Sequence, residues 1–213
     1  MKRIWGVSFC LVMSVILFVG CRSTELEERC FPQLAAVGYE DNKVSYALGF
    51  PRVGSSGQQE PQINEIKVPT TYAKTFADAR KEYESHLNKL ADYNHLKVMV
   101  IEDDFLEEKP VYEQMLKSLA SQEDFPRNTI VCVVDDMEEL LEIDKNLPQD
   151  AGTYLEEYLK NHEGEKVQLL TLGDLMDEKA NGEMVLYLPY LEVEDNYVQW
   201  GGYYAVGVRE EKK

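Results

Sequence analysis

Two carboxylate clusters stand directly behind apolar runs: Glu102-Asp103-Asp104 after VMVI, and Asp135-Asp136 after VCVV. If the two runs are neighbouring parallel strands, the clusters meet at the carboxyl edge of the sheet, where open α/β folds bind ligands. Carboxylates converging there could hold Mg²⁺ for phosphoryl chemistry. Such chemistry also needs a lysine, a hydroxyl or a glycine-rich loop beside the acids. The sequence supplies none at convincing spacing, and Lys97 comes too early on its run. A structural role competes directly, because Asp136-x-x-Glu139 has the spacing of a capping box. Acids ahead of a helix satisfy its free N–H groups and suit its dipole.

His86, His95 and His162 are scattered, without the spacing of a metal-ligand pair. His95 falls at a helix-to-strand junction, where a histidine commonly hydrogen-bonds a turn or a helix end. No Gly-x-Ser-x-Gly and no Cys/His arrangement is present. These residues therefore assign no catalytic group, no metal ligand and no cofactor. Tyr187, Tyr190, Tyr197, Trp200, Tyr203 and Tyr204 could form a protein contact patch, although alternation along strands would turn half of them inward.

The sharpest chemical assignment is Cys21. Lys2 and Arg3 precede an uncharged stretch from Ile4 to Val19, and LFVGC closes it. As a helix, that stretch reaches roughly 24 Å at ~1.5 Å per residue, short of the ~30 Å hydrocarbon core, so it reads as a cleaved signal peptide. Gly20-Cys21 abuts the apolar run and looks like a bacterial lipobox, with Phe18 where leucine is usual. In such lipoproteins the thiol is acylated with diacylglycerol and the chain is cut before the cysteine. This division gives a signal peptide at 1–20, an acidic leader at 21–32 and a folded domain at 33–213.

Loss of residues 1–20 removes Lys2 and Arg3 and no acid, moving the formal charge from −17 to −19. A surface that negative is repelled by nucleic acid and by anionic headgroups, so nucleic acid is excluded as a partner and a lipid must supply the membrane attachment. With 44% hydrophobic residues the chain can bury a real core, and its length suits one domain. Cys30 and Cys132 are too few for a disulfide framework and read as small apolar fillers, a bridge between them being the alternative in an oxidising compartment.

The elements that must position these groups follow from pattern. Apolar runs flanking Glu40-Asp41-Asn42-Lys43 predict a hairpin. Residues 51–62 predict a mobile loop and 63–69 a further strand. Phe76, Tyr83, Leu87 and Leu90 share one helical stripe, which predicts a long helix over 75–94. A buried strand over 96–101, a helix over 110–120, a strand through NTIVCVV and helices at DMEELLEI, 150–161 and 171–177 follow. Two final strands turn at Glu194-Asp195-Asn196, with Val198, Trp200, Tyr204, Val206 and Val208 on one face and a bulge at Gly201-Gly202. The rhythm predicts an α/β fold, a mixed sheet flanked by helices in a single domain.

The order of these pieces resembles the N-terminal domain of the Ger(x)C family, the C subunits of spore germinant receptors in endospore-forming Firmicutes. The matching residues are the lipobox cysteine and a leader ending in Glu28-Arg29, the strand AAVGYED, the helix ARKEYESHLNKLADYN with His95 and LKVMVI, NTIVCVV with EELLEI, and LPYLEV with WGGYYAVGV. The resemblance spans roughly Cys21 to Val208. Typical members continue for further domains, whereas this sequence ends at Lys213. It implies a lipid-anchored, non-enzymatic subunit on the extracytoplasmic face of the membrane, in particular the spore inner membrane, working with polytopic membrane subunits in nutrient-triggered germination. A small-molecule-binding lipoprotein using the edge around Asp103 and Asp136, and a divalent-metal enzyme at that edge, stand as alternatives.

Overall fold

The computed structural model describes residues 26–52, 68–122, 124–162, 168–181, 185–194 and 197–206. Most of them build a seven-stranded mixed sheet with helices on both faces. After a 3₁₀ turn at Leu26–Glu28 come β1 (Arg29–Cys30), β2 (Leu34–Glu40), β3 (Lys43–Gly49), β4 (Thr71–Ala73) and α1 (Phe76–His86). Then follow β5 (Leu90–Ala91), a 3₁₀ turn at Tyr93–His95, β6 (Val98–Glu102), α2 (Asp103–Glu107), α3 (Lys109–Ala120) and β7 (Ile130–Val134). The remainder is α4 (Met137–Ile143), a 3₁₀ turn at Asp144–Asn146, α5 (Ala151–His162), α6 (Leu172–Asn181), β8 (Leu186–Glu194) and β9 (Tyr197–Val206).

The sheet runs β4-β3-β2-β6-β7-β8-β9. β2, β6, β7 and β8 are mutually parallel, whereas β3 and β9 run against their neighbours. Strands buried on both faces need apolar residues at every position, which explains the unbroken runs of β6 and β7. Ala35, Val37, Met99, Ile101, Val131 and Val133 face a core closed by α1, α3 and α6. Leu34, Ala36, Val98, Val100, Cys132 and Val134 face the other, closed by α4 and α5. Cys30 and Cys132 are both buried and free, and burial pushes the Cys132 thiol up to about 12.

The β2–β3 hairpin forms as expected. Asp41 (φ 49°) and Asn42 (φ 60°) take the left-handed conformation at both central positions, which short polar side chains tolerate best. The long helix over 75–94 does not form. Thr75 caps α1 by accepting from the Asp78 N–H, and the chain turns extended at Leu87. Leu90–Ala91 instead pairs in parallel with Arg29–Cys30, so a two-residue contact between distant segments overrides the helical stripe. Residues 53–67, which hold most of the loop expected over 51–62 and most of the strand expected over 63–69, lie outside the described residues, and a short strand follows at Thr71–Ala73. The helix expected over 171–177 extends to Asn181.

One polar side chain fixes this corner. Arg80 on α1 is 9% exposed and lies against both the Tyr93 ring (4.6 Å) and the Phe125 ring (4.8 Å), which stack on each other at 4.4 Å. It pairs with Glu84 at 2.7 Å and also with Asp124 and Gln122. Cation–π contact and charge-assisted hydrogen bonds together offset the desolvation of the guanidinium. Because Glu84 and Asp124 keep water access, Arg80→Ala should cost about 2 kcal/mol rather than the larger loss of a fully buried pair. Urea unfolding measures this, and an unchanged midpoint would contradict it.

Candidate functional site

The carboxyl edge of the parallel strands gathers the acids anticipated there, and Glu102, Asp103, Asp135 and Asp136 each accept from backbone N–H groups. Glu102 ends β6 and spans two neighbours: one oxygen accepts from the Tyr39 N–H of β2 at 3.2 Å, the other from the Met137 N–H of α4 at 3.1 Å. A Cβ at Gly38 would collide with this carboxylate, which is why β2 passes it as glycine. Asp135 accepts from the Val193 N–H of β8 at 2.9 Å and from the Asp136 N–H at 3.0 Å. Asp136 caps α4, accepting from the Glu139 N–H at 2.8 Å. Asp103 accepts from the Asp104 N–H at 2.8 Å, with the Tyr190 hydroxyl at 3.5 Å.

The acids thus clamp strand ends and helix starts. Burial is the main cause that holds Glu102 and Asp103 above the usual carboxylate range; for Glu102 the two backbone donors oppose it, and neighbouring aspartates add to it. Lys97 lies at the opposite end of β6, where its Nζ donates to Thr153 at 2.9 Å and pairs with Glu156 at 3.3 Å. Among the described residues no group of three or more His, Cys, Asp or Glu could hold a metal ion.

A second candidate is the outer edge of the sheet. β9 reads YVQWGGYYAV, ten residues without a charge, and it ends the sheet. Uncharged, long edge strands are ready templates for pairing with another chain. The pairing with β8 slips between Tyr190 and Leu191: Gly202 faces Tyr190 and Trp200 faces Leu191, leaving Gly201 as the bulged residue. A Cβ at Gly201 would stand 2.7 Å from the Tyr190 ring, and Gly202 has φ +120°.

The expected bulge is present, but it overturns the expected face. Inserting one residue flips the side-chain alternation. Val198 and Trp200 pack with the α4–α5 core, whereas Tyr204 and Val206 pack with the opposite one. Val208, the last of the five, lies outside the described residues. The same flip brings Trp200 and Tyr203 onto one side, edge to face at 5.3 Å.

From there an aromatic strip continues onto α5. Trp200 stacks parallel to His162 at 6.3 Å, His162 lies 4.2 Å from Tyr158, and Tyr158 stacks on Tyr154 at 6.0 Å. Tyr203 (39%) and Tyr197 (52%) are among the most exposed large apolar side chains. Tyr154, Tyr158 and His162 escaped sequence reasoning as partners of the terminal aromatics. Their i, i+4, i+8 spacing on one helix face was the available signal. His95 is exposed and meets Phe31 edge to face at 5.1 Å. Cys21 lies outside the described residues.

The clamp role of Glu102 is directly testable. A glutamine offers one acceptor where two N–H groups converge, so Glu102→Gln should lower stability by about 1–2 kcal/mol. Because the folded carboxyl titrates above 4.5, its ionisation costs stability above the folded value, and that cost vanishes below 4.5. The gap between wild type and variant should therefore widen as pH falls through that window. Denaturant titrations from neutral to acidic pH read both; a variant equal to wild type throughout would contradict the clamp.

A family model described as the spore germination protein N-terminal domain matches residues 22–193. Comparisons with curated proteins and with solved structures returned no match. The matched span includes the hairpin, the parallel strands and the clamping acids, and it reaches through most of β8. The chain therefore belongs to the family of proteins carrying the spore germination protein N-terminal domain.

Proposed function

We propose that the chain is a germinant-receptor subunit of the C type: a lipoprotein held outside the cytoplasm by Cys21, which contacts polytopic membrane subunits and runs no reaction of its own. The family supports the tie to germination. The observation that carries the contact role is the aromatic strip beside the uncharged β9 edge. Tyr and Trp are favoured at protein interfaces, where large rigid side chains bury area at small entropic cost. The competing strand-end edge has its carboxylates directed at backbone N–H groups, which favours a structural role there.

The lipid is the attachment in this reading, since the net charge is −17 and no described helix is long and apolar enough to cross a membrane. Diacylglycerol brings two chains, enough for stable anchoring where a single acyl chain is marginal. Cys21→Ser should abolish acylation and leave an uncut precursor or a released protein, read by mass spectrometry of the mature N-terminus. Cross-linking in spore membranes should recover polytopic subunits, and Trp200→Ala with Tyr203→Ala should weaken that recovery about tenfold or more if these side chains are hot spots. Recovery unaffected by the double variant would remove the β9 surface from the proposal.

A further inference from the structure

The folded domain has unlike ends. At the carboxyl end of the parallel strands, exposed Glu40, Asp104, Glu107, Asp135, Asp136 and Glu194 crowd together, answered by Lys43, Lys74 and Lys109. At the amino end, cations and acids alternate. Arg29 pairs with Asp92 at 2.6 Å, Lys97 with Glu156 at 3.3 Å and Arg127 with Asp177 at 2.6 Å, and Lys89 is exposed beside them. Two of the most exposed large apolar side chains also lie at this end: Leu90 (61%), on β5, and Tyr187 (59%), at the start of β8.

The chain enters the fold at this same end. β1 pairs with β5, and three residues after β1 the Gln33 carbonyl accepts from the Lys97 and Val98 N–H groups where β6 begins. The eight steps from Cys21 to Arg29 span at most about 28 Å. The acidic end lies about 20 Å further along the strands, the length of the seven-residue β2. Charges feel an anionic bilayer within a Debye length of ~8–10 Å, so a domain turned acid end inward is repelled. A domain turned amino end inward brings intermixed cations and acids, exposed Glu27 and Glu28 before β1 among them, with an exposed lysine and two apolar side chains, to the headgroups instead.

We infer that the amino end of the parallel strands, with Leu90, Lys89 and Tyr187, lies against an anionic bilayer and the acidic carboxyl end points away from it; this rests on the Cys21 anchor proposed above. β9 then stands along the membrane normal as an upright edge, its aromatic strip open to a neighbour rooted in the same bilayer. The short leader acts as an orienting tether as well as a link.

The anchored protein, purified from membranes with Asn128→Cys or Glu107→Cys, can be labelled at that thiol, since Cys30 and Cys132 are buried and Cys21 is acylated. Both labelled positions are exposed, the first before β7 at the amino end and the second at the end of α2. In phosphatidylglycerol–phosphatidylcholine vesicles with a headgroup-attached quencher, the label at 128 should be quenched several-fold more than the label at 107. High salt or Leu90→Asp should narrow the difference. Equal or reversed quenching, with diacylated Cys21 verified by mass spectrometry, would overturn the orientation and leave the anchor standing. An unmodified Cys21 on protein that ignores the vesicles would remove the anchor and the orientation together.

Discussion

Burial of the central strands on both faces governs everything else in this fold. From Val98 to Ile101 and from Val131 to Val134 every side chain is fully buried, alternating between two cores. No residue in the middle of the sheet is left to touch a ligand. Whatever the domain recognises must meet it at the strand ends, on the helical surfaces or along an outer edge. Helices on both faces also force the connections between parallel strands to cross over, which leaves the clusters after β6 and β7 at one end of the sheet and the chain's entry at the other.

The two places left for function are used differently. At the carboxyl end, carboxylates replace the hydrogen bonds that terminating strands and starting helices lack, and Glu102 does this for two elements at once. Such groups resemble a metal site in composition, but their oxygens are directed at backbone donors. The β9 edge carries no charge and is shaped by one inserted glycine. Were Gly201 paired in the ladder instead of bulged out of it, strict alternation would place Trp200 and Tyr203 on opposite faces, and the strip running to α5 would be broken.

Much of this was legible in the sequence. Unbroken apolar runs marked the doubly buried strands, Asp41-Asn42 marked the hairpin, and Asp136-x-x-Glu139 marked a helix start. The misreadings have a common physical source in contacts between distant segments. Leu87 and Leu90 fit a helical stripe, yet a two-residue pairing with Arg29–Cys30 fixes Leu90 as strand, and α2 is a single short turn without a periodic signature. The bulge was visible as Gly201-Gly202, but which side each aromatic takes depends on the register against β8. The partnership of Tyr154, Tyr158 and His162 with Trp200 likewise exists only once α5 lies over that edge.

The central claim is that β9 and its aromatic strip form the contact surface of a non-catalytic subunit. Hydrogen–deuterium exchange tests it most directly, comparing the isolated chain with the chain in detergent-extracted spore membrane complexes. The account predicts slower exchange in the complex over 197–206 and the adjoining face of α5, with the strand-end segments around Asp103 and Asp136 unchanged. Protection confined to those strand ends, with β9 exchanging equally in both preparations, would contradict it.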